Sequence, residues 1–276
     1  MQPVIVSAEE QEVHANALRI LNLSRVQYVV AGAAAVGYYT GLWRDTKDLD
    51  LFLAPEDVTA ALTVLAANGY TVEVPAPHWL AHAYCGPFYV DLIFGFGGWR
   101  AAVDEQWYDR GKPTTVLGQP VRMSPVEDLI WIKAYVAHRE RFDGADILHM
   151  INACHESIDW RRLLRRFEPC WQLLLFYVNL YQFVYPSNRS DFPAWIVHEL
   201  VERWREQQRR PVENPLECRG TLIDRYSFLV DIREGFHDAR EQWVLAQGWT
   251  LNDLQEDRDE AERTVKEGNV RPARVA

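Results

Sequence analysis

Apolar and polar positions follow two regimes along the chain. Before Ser124, short alternating runs are separated by stretches of helical period, and after it the spacing is helical throughout. Residues 7–23 form the first helix, with Ser7 as N-cap, Glu10 as its capping-box partner, and Val13, Ala17, Leu18 and Leu21 on one face. A strand over 28–31, a turn at Gly32, a small-residue helix over 33–39 and a strand over 47–53 follow. Pro55, Glu56 and Asp57 start a helix that runs to about residue 67 and stops at Asn68-Gly69. Residues 70–74 read as a short strand, followed by a loop with Pro75 and Pro77. Residues 88–94 alternate, with Phe88, Val90, Leu92 and Phe94 on one side and Tyr89, Asp91 and Ile93 on the other. Gly95-Phe96-Gly97-Gly98 reads as a loop, because it lacks the spacing of a phosphate-binding fingerprint. Residues 114–123 form a hairpin turning at 118–120.

Ser124-Pro125-Val126-Glu127 then opens the helical part with a capping box. The expected helices are 125–141, 145–155, 160–167, 171–184, 192–209, 221–246 and 251–267. The pattern thus predicts an α+β chain: a small mixed-sheet domain over 1–123, then an all-helical domain over 124–276.

With 276 residues and 48% hydrophobic content, the chain can bury a sizeable core in one large or two modest domains. A net charge of −10 argues against a surface that grips nucleic acid all over. Two local basic runs stand out: Arg161, Arg162, Arg165 and Arg166, then Arg203, Arg205, Arg209 and Arg210. Each reads either as a solvated face balanced by Glu168, Glu202 and Glu206 or as a cradle for an RNA end. The four cysteines are scattered without a CxxC pair, and the first residues lack the order of a signal peptide. The most apolar stretch, 170–185, is short for a membrane span. A cytoplasmic protein with reduced thiols and no membrane partner is expected. His78-x-x-x-His82 with Cys85 has helical zinc spacing, but the prolines around it weigh against both the helix and the zinc.

The chemistry concentrates on Asp48, Asp50 and Asp91. Residues i and i+2 of a strand share a face, so Asp48 and Asp50 project together while Leu49 and Leu51 take the other side. Two such carboxylates suit Mg²⁺ or Mn²⁺, which take oxygen ligands and share them with substrate phosphates. Asp91, a charge among apolar strand residues, needs a partner or a task. A third carboxylate that helps hold metal and takes a proton from an attacking hydroxyl would complete a site for phosphoryl or nucleotidyl transfer. The plain alternative is an exposed Asp48 and Asp50 on an edge strand, with Asp91 paired to an arginine.

Gly32-Ala33 followed by Arg44-x-Thr46-x-Asp48-Leu49-Asp50 resembles the signature of the nucleotidyltransferase superfamily with the DNA polymerase β-like fold. Within it, the motif is most similar to the AbiEii-type nucleotidyltransferases, which include toxins of abortive-infection and toxin–antitoxin systems. The resemblance spans about residues 27–152 and implies a nucleoside triphosphate seated at Gly32 and Ala33, where a helix begins. It implies Asp48, Asp50 and Asp91 as catalytic metal ligands, with Asp91 the third carboxylate. Glu127-Asp128-Leu129, Lys133, Arg139, Asp143 and Asp146 are similar to the family's downstream pattern. They imply Lys133 at the nucleotide phosphates and Asp143 or Asp146 in catalysis or its support. Arg44 and Thr46 position phosphates or brace the strand, and bracing is favoured because an arginine beside three carboxylates is drawn to one of them. The chain departs from the family at Ala33, where relatives carry glycine or serine. The implied activity moves a nucleoside monophosphate from an NTP to a hydroxyl of tRNA, protein or a small molecule, with an antitoxin as partner in the toxin-like case. A degenerate nucleotide-binding or interaction module, which Ala33 permits, and a phosphotransferase using the same site are the alternatives.

Overall fold

A computed structural model describes residues 7–43, 48–96, 98–99 and 102–267. The chain divides into two compact units, Met1–Gly97 with Ala101–Leu129, and Gly98–Arg100 with Ile130–Ala276.

The first unit contains α1 (Ala8–Leu23), β1 (Val29–Val30), α2 (Gly32–Thr40), β2 (Asp48–Phe52), α3 (Pro55–Ala67), β3 (Thr71–Ala76), β4 (Leu80–Cys85), β5 (Phe88–Ile93), α4 (Glu105–Arg110), β6 (Lys112–Val116) and β7 (Gln119–Met123). The seven strands form one mixed sheet in the order β3-β4-β5-β2-β1-β7-β6. The β1–β7 and β2–β5 pairs are parallel and the remaining pairs antiparallel. Helices α1 and α3 pack together and against the sheet. Strand residues Leu49, Leu51, Ala81, Ala83, Val90 and Leu92 are buried, while their neighbours Asp48, Asp50, His82, Tyr84, Tyr89 and Asp91 stay half-buried on the other face. Period-two alternation therefore separates a core face from a chemical face across the three adjacent strands β4, β5 and β2.

Local signals in the sequence act as expected at several ends. The Ser7 hydroxyl accepts from the Glu10 N–H at 3.1 Å and caps α1. Pro55 opens α3, and Glu56 and Asp57 occupy its first turn. Three expectations need correction. The strand expected over 70–74 is β3, but the stretch after it, read as a loop, turns back as β4 to complete a β3–β4 hairpin, and His82 lies mid-strand. Helix α4 was not anticipated, although Asp104 caps it by accepting from the Gln106 N–H at 3.0 Å. The helix expected over 125–141 is α5 (Val126–Lys133) and stops at Lys133. Beyond it the chain folds back through an Ala137–Phe142 bridge, which brings Asp143 to the Lys133 ammonium.

The second unit continues with α6 (Gly144–Cys154), α7 (Trp160–Arg166), α8 (Trp171–Val184) and α9 (Ala194–Arg209). It then has β8 (Glu217–Cys218), α10 (Leu229–Arg233), β9 (His237–Asp238), α11 (Arg240–Ala246) and α12 (Leu251–Lys266). The helix expected over 221–246 is broken into short pieces, and β8 and β9 form a two-residue parallel ladder in this otherwise helical unit. Side chains compete with the helix here. Asp224 accepts from the N–H groups of Tyr226 and Ser227, Asp238 accepts from that of Arg240, and Gly235 turns the chain at φ +103°. No helix among the described residues is long and apolar enough to cross a membrane.

Candidate active site

The chemical face of the first unit is built by register. In the parallel β2–β5 pair Asp50 lies opposite Asp91 and Asp48 opposite Tyr89. In the β4–β5 hairpin His82 lies opposite Asp91 and Tyr84 opposite Tyr89, and in the β3–β4 pair Glu73 lies opposite His82. One lateral row therefore reads Glu73, His82, Asp91, Asp50 across four strands, with Asp48 two residues before Asp50 on the same face. Backbones of paired strands are about 4.8 Å apart, so the row is close enough for side chains to interact.

Asp91 has a partner, but it is not an arginine. His82 Nδ1 lies 2.6 Å from Asp91 Oδ1, and both side chains are largely buried, at 18% and 13% exposure. A carboxylate only accepts, so Nδ1 carries the proton and donates it. Burial pushes the Asp91 carboxyl above its ordinary range; the His82 contact pulls it back, and the negative charge of Asp48 adds to the rise. Burial and the nearby Asp48 and Asp91 carboxylates likewise raise the Tyr89 phenol. The His82, Tyr84 and Tyr89 rings form a triangular cluster, with the His82 centroid 5.5 Å from Tyr84 and 5.6 Å from Tyr89.

Asp50 is set against the start of α2. Gly32 has φ +55°, and a Cβ built on it would coincide with the Asp50 carboxylate. Only glycine meets both conditions. The first intrahelical bond of α2 runs from the Ala35 N–H to the Ala31 carbonyl at 3.1 Å, so the N–H groups of Gly32, Ala33 and Ala34 precede the ladder. Ala33 is half-buried at the second position of this helix. Arg44 and Thr46 lie outside the described residues. Among the described residues, no three His, Cys, Asp or Glu side chains are gathered as a group that would hold a metal ion.

Lys133, Asp143 and Asp146, the downstream residues picked out in the sequence, come together in the second unit. The Lys133 ammonium lies 2.7 Å from Asp143 Oδ2 and 2.8 Å from Asp146 Oδ2, and all three residues are buried. Arg141 adds a contact to Asp143 at 3.0 Å. Burial pushes the Asp143 carboxyl up, but Arg141 and Lys133 outweigh it and hold it below its ordinary value.

A family model described as a nucleotidyl transferase of unknown function (DUF2204) matches residues 10–170, more than half of the chain. The chain belongs to this family. As a nucleotidyltransferase, it carries within the matched stretch both the Asp48, Asp50 and Asp91 face and the Lys133, Asp143 and Asp146 cluster. No curated protein matches the sequence. Among solved structures, this nucleotidyltransferase is similar to the antibiotic-resistance factor ANT(2'')-Ia, with a TM-score of 0.45, 17% identity and coverage of 62% of this chain and 98% of that one. It is similar to an antigenic nucleotidyltransferase-like protein from Paracoccidioides brasiliensis, at a TM-score of 0.45 and 20% identity over 67% of this chain and 93% of that one. A third similar structure is the lincosamide antibiotic adenylyltransferase LnuA, at a TM-score of 0.37 and 15% identity over 52% of this chain and 96% of that one.

The basic runs of the nucleotidyltransferase are not continuous stripes. Arg162 is buried, and Arg166 lies over the Trp131 ring, while Arg161 and Arg165 are exposed. Arg203 is paired with Glu168 and Glu199, and Arg210 with Glu206 at 3.2 Å, so glutamates balance the second run. The residue that sequence reasoning missed is His82. A two-residue turn at Gly86-Pro87 places it opposite Asp91, and that turn was the signal in a segment whose prolines read as a loop.

Proposed function

We propose that this nucleotidyltransferase transfers a nucleoside monophosphate from an NTP to an acceptor hydroxyl on the acidic face of its first unit. The observation that carries the reading is the register of β2 and β5, which places Asp50, set against the start of α2, opposite Asp91, with Asp48 two residues before Asp50 on the same face. The acceptor oxygen attacks the α-phosphorus, a new O–P bond forms, and the bond to the β-phosphate oxygen breaks with release of pyrophosphate. Asp91 accepts the hydroxyl proton, a role suited to a carboxyl that burial has raised. The N–H groups at the start of α2 favour phosphate oxygens.

Asp48 and Asp50 would hold Mg²⁺ or Mn²⁺, completed by phosphate oxygens. The donor set fits, being hard oxygens on one strand face, and Asp48 already repels negative charge on Asp91, a repulsion that a cation there would relieve. Bound there, such an ion would neutralise the charge that develops on the phosphates. Arg44 and Thr46, which precede β2 in the sequence, would brace the strand or position phosphates, and Lys133 belongs to the nucleotide site only if its charge can leave Asp143 and Asp146.

The Arg44-x-Thr46-x-Asp48-x-Asp50 motif is the support for an AbiEii-type, toxin-like role with an antitoxin partner. The test is incubation with α- and γ-labelled NTPs and Mg²⁺ in cell extract. α-Label should enter RNA, protein or a small molecule, and the labelled pool names the acceptor. Asp50→Asn should lower transfer by at least about 10²-fold. Transfer of γ-label alone would make the protein a phosphotransferase, and no transfer from any NTP would sink the reading. A toxin-like role further requires that expression arrest growth and that Asp50→Asn abolish the arrest.

A further inference from the structure

We propose that His82 is a positioning residue for the reaction, which holds Asp91 so that one carboxylate oxygen is fixed and the other is presented to the acceptor hydroxyl. The inference rests on the reading of Asp91 as the proton acceptor.

The geometry is specific. His82 belongs to β4 and Asp50 to β2, and β5 lies between them, so His82 engages Asp91 from the side away from Asp50. Its Nδ1–H donates to Oδ1 at 2.6 Å. That bond stops free rotation of the carboxylate and leaves Oδ2 as the oxygen for substrate. The imidazole is itself held, because the Tyr84 and Tyr89 rings pack against it and against each other, meeting the imidazole at tilted and nearly perpendicular angles of 60° and 75°. Tyr84, Tyr89 and His82 come from the two strands of one hairpin, where Tyr84 is the direct partner of Tyr89. A group that takes a proton from a substrate must be oriented before the substrate arrives, and side chains that hold such groups work through this kind of locked hydrogen bond.

A bond made only for fold stability would look similar in a static picture. The difference lies in what the bond does to turnover. Asparagine places its amide Nδ2 where the histidine carries Nδ1, whereas glutamine places its amide near the Nε2 position. His82→Asn keeps the donor to Asp91, and His82→Gln moves it away.

The experiment measures kcat, KM for the NTP and the thermal midpoint for wild type, His82→Asn, His82→Gln and His82→Leu, using the acceptor pool found by label transfer. His82→Gln and His82→Leu should lose about 10- to 100-fold in kcat. KM for the NTP should stay within about twofold in both, because nucleotide binding does not use the bond. His82→Asn should recover most of kcat. If His82→Leu does not fold, the Asn and Gln pair decides. Equal kcat in Asn and Gln variants would overturn the proposal, as would a loss that tracks the thermal midpoint. A labelled-imidazole NMR spectrum supplies a readout apart from activity: the Nδ1 proton should resonate far downfield in wild type and shift in Asp91→Asn. Wild type that transfers no label defeats the nucleotidyl-transfer reading and this proposal with it, whereas active wild type with unaffected His82 variants defeats this proposal alone.

Discussion

Gly32 shows how closely backbone and carboxylate are fitted. Its φ of +55° is a conformation that side chains disfavour, and the space where a Cβ would sit is occupied by Asp50. Gly32→Ala must therefore twist the turn, push Asp50 aside, or both. We expect a stability loss of about 1–2 kcal/mol. Displacing a reacting-site group by an ångström costs on the order of 10²-fold, so label transfer should fall by about that much or more. A thermal melt and the transfer assay check both, and a fully active Gly32→Ala enzyme would remove Asp50 from the site. Asp48 and Asp50 were legible in the sequence because strand alternation alone puts them on one face. His82 was not, because its role depends on which residue a hairpin sets opposite it.

At the level of elements, helix α5 illustrates how tertiary pairing overrides local periodicity. The apolar spacing runs past Lys133, yet the helix ends there and the chain returns to place Asp143 and Asp146 on the Lys133 ammonium. Removing that cation leaves two neighbouring carboxylates buried without it. Lys133→Met should destabilise the protein by about 3–5 kcal/mol, read from the midpoint and slope of urea unfolding. If the midpoint holds and KM for the NTP rises instead, the charge of Lys133 serves the phosphates. Helices with one uninterrupted apolar stripe, such as α3 and α8, were readable almost to the residue. The segment over 221–246 was not, because Asp224 and Asp238 accept backbone N–H groups in the breaks between its pieces and the apolar pattern carries no mark of those bonds.

Across the whole molecule, the division into a mixed-sheet part and a helical part follows from composition and period, but the charges hidden in the second unit do not. There Asp238, Arg240 and Asp257 are buried together, with Arg240–Asp238 at 2.8 Å and Arg240–Asp257 at 2.7 Å, and Arg258 and Arg225 close the group. Burial opposes ionisation of Asp238, yet Arg240 and the Thr221 hydroxyl hold its carboxyl down to about 2. A carboxyl lowered on folding stabilises the native chain above its unfolded value, near pH 4, and surrenders that contribution as pH falls toward about 2. The loss should be on the order of 2 kcal/mol. Urea unfolding measured across that window checks it, and an Asp238→Asn protein with the same pH dependence would refute it. The sheet imposes a different kind of rule. Glu73, His82, Asp91 and Asp50 meet in one row because each strand presents the right residue by count. One residue gained or lost inside a strand sends its contribution to the helix-covered side, while two slide it along and keep the face. The acidic row is thus inherited by parity: an odd change inside one of these strands loses the face unless a bulge absorbs it, as the extra residue of β3 between Glu73 and Ala76 is absorbed against β4.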